Sequence, residues 1–209
     1  VLTADAIAEL LQPYLGGVGI EGASGAAFDR VCGQLVVYLD LILKWNARIN
    51  LTAIREPEEI VRRHFGESFF AGAQLGACET LLDFGSGAGF PGVPIQLMRP
   101  NVVVTLAESR SKKAAFLREV VRTLELRSEV WAGRVEAMPT ERRFDLVAMR
   151  AVDDMGLAVV EAGRRAKGRV MVLGSAGLPP GFGSEGFLLR EPVGLPGSDH
   201  SVLWIAQRQ

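Results

Sequence analysis

Two cysteines and two histidines in 209 residues leave little material for a disulfide framework or a metal centre. Cys32 falls in a helical pattern and Cys78 beside a turn, with no Cys-x-x-Cys and no histidine cluster near either. Two idle thiols, no structural metal and a reducing, cytoplasmic setting are expected. Excess positive charge is also missing: 23 Lys and Arg stand against 24 Asp and Glu, a formal net charge of −1. No overall basic field points to nucleic acid, so any such surface must be a local patch. No apolar run approaches the roughly 20 residues of a membrane span, and no charged-then-apolar leader precedes the first helix pattern. No membrane contact is expected.

What is present suits an ordinary globular chain, 48% hydrophobic and 22% charged. The patterning divides it in two. Residues 1–79 read as a helical extension packing on the rest. A short helix over Thr3 to Leu11 has Thr3 as cap, and Pro13 with the glycines at 16, 17, 19 and 22 then breaks regular structure. Phe28, Val31, Cys32, Leu35, Val36, Leu39, Ile42 and Leu43 recur at three- and four-residue intervals, one face of a long helix ending near Trp45-Asn46. A turn-like connector over residues 48–54 leads to Pro57 and its acidic neighbours, which suit the first turn of a helix carrying Ile60, Val61, His64 and Phe65.

From residue 80 to 209 strands alternate with helices. Strands are expected at Thr80–Phe84, Val102–Ala107, Val130–Ala132, Phe144–Met149 and Arg169–Leu173. Helices are expected at Val93–Met98, Lys112–Leu124 with Ser111 as cap, and Val152–Ala166. This alternation predicts an α/β fold, a doubly wound, mostly parallel sheet covered by helices. Two late runs, Phe187–Arg190 and Val202–Ala206, suit an antiparallel pair.

The glycine-rich stretch Asp83-Phe-Gly-Ser-Gly-Ala-Gly-Phe-Pro-Gly-Val-Pro94 follows the first of these strands. Gly87 to Gly92 matches Gly-x-Gly-x-x-Gly, a pattern that alone admits a nicotinamide dinucleotide and a reductase. Two features favour S-adenosylmethionine instead. Asp83 would crowd a pyrophosphate, whereas it can balance positive charge at a methionine end. Pro91 and Pro94 remove N–H donors that phosphates would need. Glu108 ends the second strand, where a carboxylate accepts from ribose hydroxyls of either ligand. Arg134-Val135-Glu136 and Arg150 follow the third and fourth strands, at the edge where open α/β sheets bind ligands.

With these residues, the chain resembles the RsmG (GidB) family of bacterial 16S ribosomal RNA guanine-N7 methyltransferases. Trp45-Asn-Ala-Arg-Ile-Asn-Leu-Thr-Ala-Ile54 resembles the family's Tyr-Asn-x-x-x-Asn-Leu-Thr-Ala-Ile, and His64 to Ser68 its His-x-x-Asp-Ser with Glu67 for Asp. The glycine stretch, Glu108-Ser-Arg-Ser-Lys-Lys-Ala-Ala-Phe-Leu117, Arg134-Val-Glu136 and Arg150-Ala151 follow in the family's order. The resemblance covers about residues 28 to 173. Gly174-Ser175 stands where the family usually has Lys-Gly, and its basic C-terminal tail has no counterpart here. It implies a class I, Rossmann-like methyltransferase fold. It also implies S-adenosylmethionine held by Asp83, Gly85, Gly87, Gly89, Phe90, Ala107, Glu108, Ser109, Val135, Glu136 and Arg150. The implied acceptor is one guanine in the decoding-region loop of 16S rRNA, met as free RNA or in a 30S ribosomal subunit. Asn46, Asn50 and His64 are candidates for the substrate side of the cleft.

Two basic runs offer themselves to RNA: Arg110, Lys112, Lys113, Arg118 and Arg122, and further on Arg164, Arg165, Lys167 and Arg169. A methyltransferase acting on another RNA or a small molecule is the alternative that the near-neutral charge favours. A monomer is expected.

Overall fold

The computed structural model describes residues 2–16, 25–183 and 186–209. The glycines at 17, 19 and 22, expected to break regular structure, lie outside them. An eight-stranded sheet is its frame, in the order β3-β2-β1-β4-β5-β8-β6 with β7 also on β8. The strands are β1 Thr80–Phe84, β2 Val103–Ala107, β3 Glu129–Trp131, β4 Phe144–Arg150, β5 Ala166–Ser175, β6 Phe187–Leu189, β7 Val193–Gly194 and β8 Ser201–Arg208. The first five are parallel. β8 runs antiparallel to β5, and β6 and β7 pair antiparallel with β8. The two-residue β7 has no expectation in the sequence reading; a run that short carries no periodicity.

The helices are α1 Ala4–Leu15, α2 Ala26–Asn46, α3 Pro57–Glu59, α4 Glu67–Ala73, α5 Gly92–Met98, α6 Ser111–Thr123 and α7 Met155–Arg165. Between α3 and α4 a π-helical turn, Ile60–Gly66, keeps the chain helical with wider hydrogen-bonded rings. Several boundaries differ from the sequence reading, three of them with a visible cause. α1 runs through Pro13 to Leu15, because Thr3 Oγ1 caps its start and Ile7, Leu11 and Tyr14 bury one face. Arg110, not Ser111, is the N-cap of α6. α7 starts at Met155, where the Asp154 carboxylate accepts from the Leu157 amide at 3.3 Å.

Alternation along the strands sorts side chains onto two faces. Leu81, Leu146 and Ala148 join a core built with α1, α2, the π turn, α5 and α6, while Leu82, Phe84, Val147 and Met149 join a second core with α7. The first core runs without a break from Ile7 and Tyr38 to Leu106 and Leu203, so the N-terminal helices and the sheet share one apolar interior. Asp83 has the parity of Leu81 and Arg150 that of Ala148, so both point to the face carrying the N-terminal helices. That parity decides what each can do. No helix among the described residues is long and apolar enough to cross a membrane.

Candidate cofactor cleft

β1 delivers the chain into the glycine turn at the carboxyl edge of the sheet. Gly85, Gly87 and Gly89 have φ of 72°, 58° and 96°, a region that costs other residues strain. At Gly89 a Cβ would also lie 2.5 Å from Tyr38 Oη and 2.8 Å from Val93 Cγ2. The Tyr38 hydroxyl donates to the Ala88 carbonyl, pinning the turn to α2.

A cleft of about 510 Å³ opens over this turn. Its floor holds Gly85, Gly87, Ala107, Glu108 and Ser109, and Val135 and Glu136 close its far side. These seven sequence-expected residues come together. Glu108 organises them: Oε2 accepts from the Gly87 amide at 3.1 Å and Oε1 from the Arg110 amide at 2.7 Å. The carboxylate ties the glycine turn to the start of α6 and keeps lone-pair capacity for a ligand's hydroxyls. Arg134, expected at this rim, also lines it, and sequence reasoning left out Arg110, Lys113, Val152, Asp153 and Leu157, which add to the walls. Arg110 pairs with Asp153 at 3.2 Å, from the loops after β2 and β4. A single sequence gives no signal for such a pair.

Asp83, Gly89, Phe90 and Arg150 do not line this cleft. Asp83 is fully buried beneath it, with Oδ2 accepting from the Gly92 amide at 3.0 Å. Burial pushes its pKa up to about 7, opposed by the Gly92 hydrogen bond. Its expected balancing of a ligand's charge is therefore corrected: it fastens the turn from below. A Cβ on residue 92 would lie 2.7 Å from Asp83 Oδ2, so this glycine is required by packing. Because the Gly92 N–H is spent on Asp83, it cannot cradle a pyrophosphate, which removes a donor from the dinucleotide reading. Phe90 turns inward, 5.7 Å from the Tyr38 ring, 5.9 Å from Phe65 and 4.5 Å from the His64 ring in a near-parallel stack.

Arg150 meets Glu67, not the acids that follow it: Nη2 lies 2.7 Å from Glu67 Oε2. Arg63 Nε shares the same carboxylate through Oε1 at 3.1 Å. Burial lowers the Arg150 pKa and Glu67 raises it. His64 is no surface histidine. Its Nε2 lies 2.7 Å from Thr52 Oγ1, and burial, then Arg150 and Arg63, lower its pKa to about 3, so it is neutral. Asn46 is buried and closes the following loop, accepting from the Leu51 and Thr52 amides and donating to the Thr52 carbonyl. Asn50 is exposed and accepts from Arg55. Of the three substrate-side candidates, His64 alone stands beside Phe90 and Arg150.

The basic runs separate as well. Lys112 and Lys113 open α6 at the cleft edge, where Lys113 is part of the wall. The second run lies at the opposite edge of the sheet, around the start of β5, and each of its members has a partner within the fold. Arg165 is buried against Glu161 at 2.7 Å and bonds the Met138 and Pro139 carbonyls. Arg164 pairs with Glu161, Lys167 with Asp145, and Arg169 bonds the Ala77 carbonyl. Arg164 and Lys167 nevertheless keep 74% and 54% of their side chains exposed. Among the described residues no group of three His, Cys, Asp or Glu side chains is placed to hold a metal.

The sequence matches the family described as GidB, rRNA small subunit methyltransferase G, over residues 31–175. The chain belongs to this family. A ribosomal RNA small subunit methyltransferase G from Nitrosomonas europaea is 43% identical over 126 residues, 60% of this chain and 58% of that protein. Its counterpart from Xanthomonas oryzae pv. oryzae is 37% identical over 205 residues, 92% of this chain and 96% of its own. A SAM-dependent methyltransferase from Aquifex aeolicus shares the fold, with a TM-score of 0.56 at 18% identity over 74% of this chain and 94% of that one. So does MtNAS crystallised, as a variant, with S-adenosylmethionine, with a TM-score of 0.59 at 14% identity over 98% and 88%. The methyl donor of this family member is S-adenosylmethionine, and the cleft suits it. It is large enough, its glycine floor admits a close ligand, and Glu108 holds acceptors at a strand end.

Proposed function

We propose that the chain transfers the methyl group of S-adenosylmethionine to N7 of a guanine in the decoding-region loop of 16S rRNA, in the cytoplasm. The observation that carries the reading is Glu108 clasping the glycine turn at the carboxyl edge, within a chain of this family. The cofactor supplies a methyl group on a positively charged sulfur. Glu108 would hold the ribose hydroxyls, Val135 and Glu136 the adenine, and the turn at Gly85 the methionine end. Guanine N7 offers a free lone pair, so no residue has to remove a proton first.

The protein's task is alignment of N7 with the methyl carbon and sulfur, a contribution worth roughly 7–11 kcal/mol in favourable systems. Residues 1–79 form the substrate-side wall of the methyltransferase unit at 80–209, with His64 at its centre. The acceptor base must be unstacked to enter, as in a loop. Lys112, Lys113 and Arg118, at the start and on the exposed side of α6, take the backbone phosphates.

Incubation with labelled cofactor and 16S rRNA, 30S subunits or free guanosine tests this directly. Label is expected as N7-methylguanine in the ribosomal substrates. Label on guanosine alone would favour the small-molecule reading, for which the near-neutral charge and the occupied second basic run speak.

A further inference from the structure

Exposed cations in this chain commonly meet an acid: Arg62, Arg110, Arg122, Arg164 and Lys167 each have a carboxylate partner. Lys44, Arg48, Lys112, Lys113 and Arg118 break that pattern. None of them has a carboxylate or another hydrogen-bond acceptor among the described residues, and all but the half-buried Lys113 are exposed. Of the neighbouring acids, Glu119 is taken by Arg122, and Asp40, one turn before Lys44, stands alone against the group.

These cations belong to two helices that pack antiparallel. Gln34, early in α2, donates to the Leu124 carbonyl just past the end of α6 at 3.2 Å. Trp45, at the other end of α2, meets Phe116 with ring centroids 5.6 Å apart. The last turn of α2 carries on through bonds from the Ala47 and Arg48 amides to the Leu43 and Trp45 carbonyls. Counted from the Trp45–Phe116 contact, Arg48 lies as far forward along α2 as Lys113 lies back along α6, so the two stand level. Lys44 sits one turn before Arg48, and Lys112 and Arg118 are on the exposed side of α6.

Position decides what such a patch can hold. Lys113 is also part of the wall of the cofactor cleft, and the Tyr38 hydroxyl fastens α2 to the glycine turn. The cations thus begin where an acceptor base would enter and lead away along α2. Several unpaired cations in a row suit a chain of phosphates, because each contact releases condensed counterions. An acidic protein surface would have no reason to end at the methyl donor. We infer that Lys44 and Arg48 join Lys112, Lys113 and Arg118 in one phosphate-binding face, which holds the single strand of RNA leading away from the acceptor guanine. This contact rests on the reading of the chain as an rRNA methyltransferase, and it gives the N-terminal helices a direct part in substrate binding.

Binding of 16S rRNA, free and in 30S subunits, is measured across a salt series. Lys44→Gln with Arg48→Gln should weaken binding about 5-fold at low salt and lower the salt slope by about 1–2, with S-adenosylmethionine affinity and melting temperature unchanged. Arg30→Gln with Arg127→Gln removes the same charge at the far end of the two helices, where both arginines flank a groove. Arg30 is about 21 Å from Lys44 along α2, and this second pair should cost less than about 2-fold. Equal losses from the two double variants would assign the effect to net charge and overturn the inference. So would unchanged binding in Lys44→Gln with Arg48→Gln, or a loss there that leaves the salt slope as it was, which would point to a protein surface. A matching fall in cofactor affinity or melting temperature would make the two residues structural and overturn it as well. Wild-type protein that neither binds nor methylates a ribosomal substrate would instead overturn the rRNA reading, and this inference with it.

Discussion

Glu108 and Arg150 stand at strand ends on either side of β1, and the chain treats them in different ways. Glu108 is tied by two backbone amides and still faces a cleft. Arg150 is tied by one carboxylate and keeps a buried nitrogen unused. The first end is preformed by the backbone of the turn and of α6, and needs only residues close in sequence to its strand. The second depends on helices from a distant part of the chain, through Glu67, His64 and Thr52. Backbone-built sites are cheap to specify; side-chain clusters across elements give selectivity but require the whole core to hold them.

The comparison can be broken most severely at Gly89. Gly89→Ala places a Cβ against Tyr38 and Val93 at a positive φ, so urea unfolding should show a loss of about 3 kcal/mol. A loss under about 1 kcal/mol would mean that the turn and α2 are not locked together. Asp83→Ala, which frees the buried Gly92 amide, should cost about 1–3 kcal/mol of stability. Its effect on cofactor affinity should be smaller than that of Glu108→Ala. The reverse order would place Asp83 in the cleft after all.

A pH series sharpens the contrast between the two buried groups. His64 has a folded pKa of about 3 against an ordinary 6.5, so its contribution is full above 6.5 and is lost as pH falls toward 3. Asp83 is raised from 3.8 to about 7, so its contribution is largest below 3.8 and is lost as pH rises to 7. The slopes oppose each other between about pH 4 and 6.5, each at most about 1.4 kcal/mol per pH unit. Asp83→Asn should remove one of them and make melting temperature fall more steeply with acid than in wild type. Parallel curves would contradict these assignments. The smallest effect is expected on RNA: Lys112→Glu with Lys113→Glu should weaken rRNA binding and flatten its salt dependence, while Lys167→Glu should not. Equal losses from both sites would restore the second basic run as an RNA face.

Much of this was legible beforehand. The parallel strands carry dense runs of Val, Leu and Ala, and β1 lies where its apolar run and first glycine set it. The cleft floor follows because topology puts every βα turn of a parallel sheet on one edge. The alternation of β1 carries the signal for Asp83: it shares the parity of Leu81, on the face of the N-terminal helices, and not that of Phe84, which lines the cleft. The lysines and arginines of the second run look solvated in sequence, yet Arg165 is spent on the Met138 and Pro139 carbonyls, partners that only the fold brings near. The π turn leaves no trace in periodicity over seven residues, and so the meeting of His64, Glu67 and Arg150 was out of reach.

The account stands most directly on Glu108 as the cofactor's ribose anchor. Titration of S-adenosylmethionine into wild-type and Glu108→Ala protein is predicted to show at least a 10-fold weaker affinity in the variant, about 1.4 kcal/mol, with cooperative melting preserved. An unchanged affinity in a folded Glu108→Ala protein would contradict it.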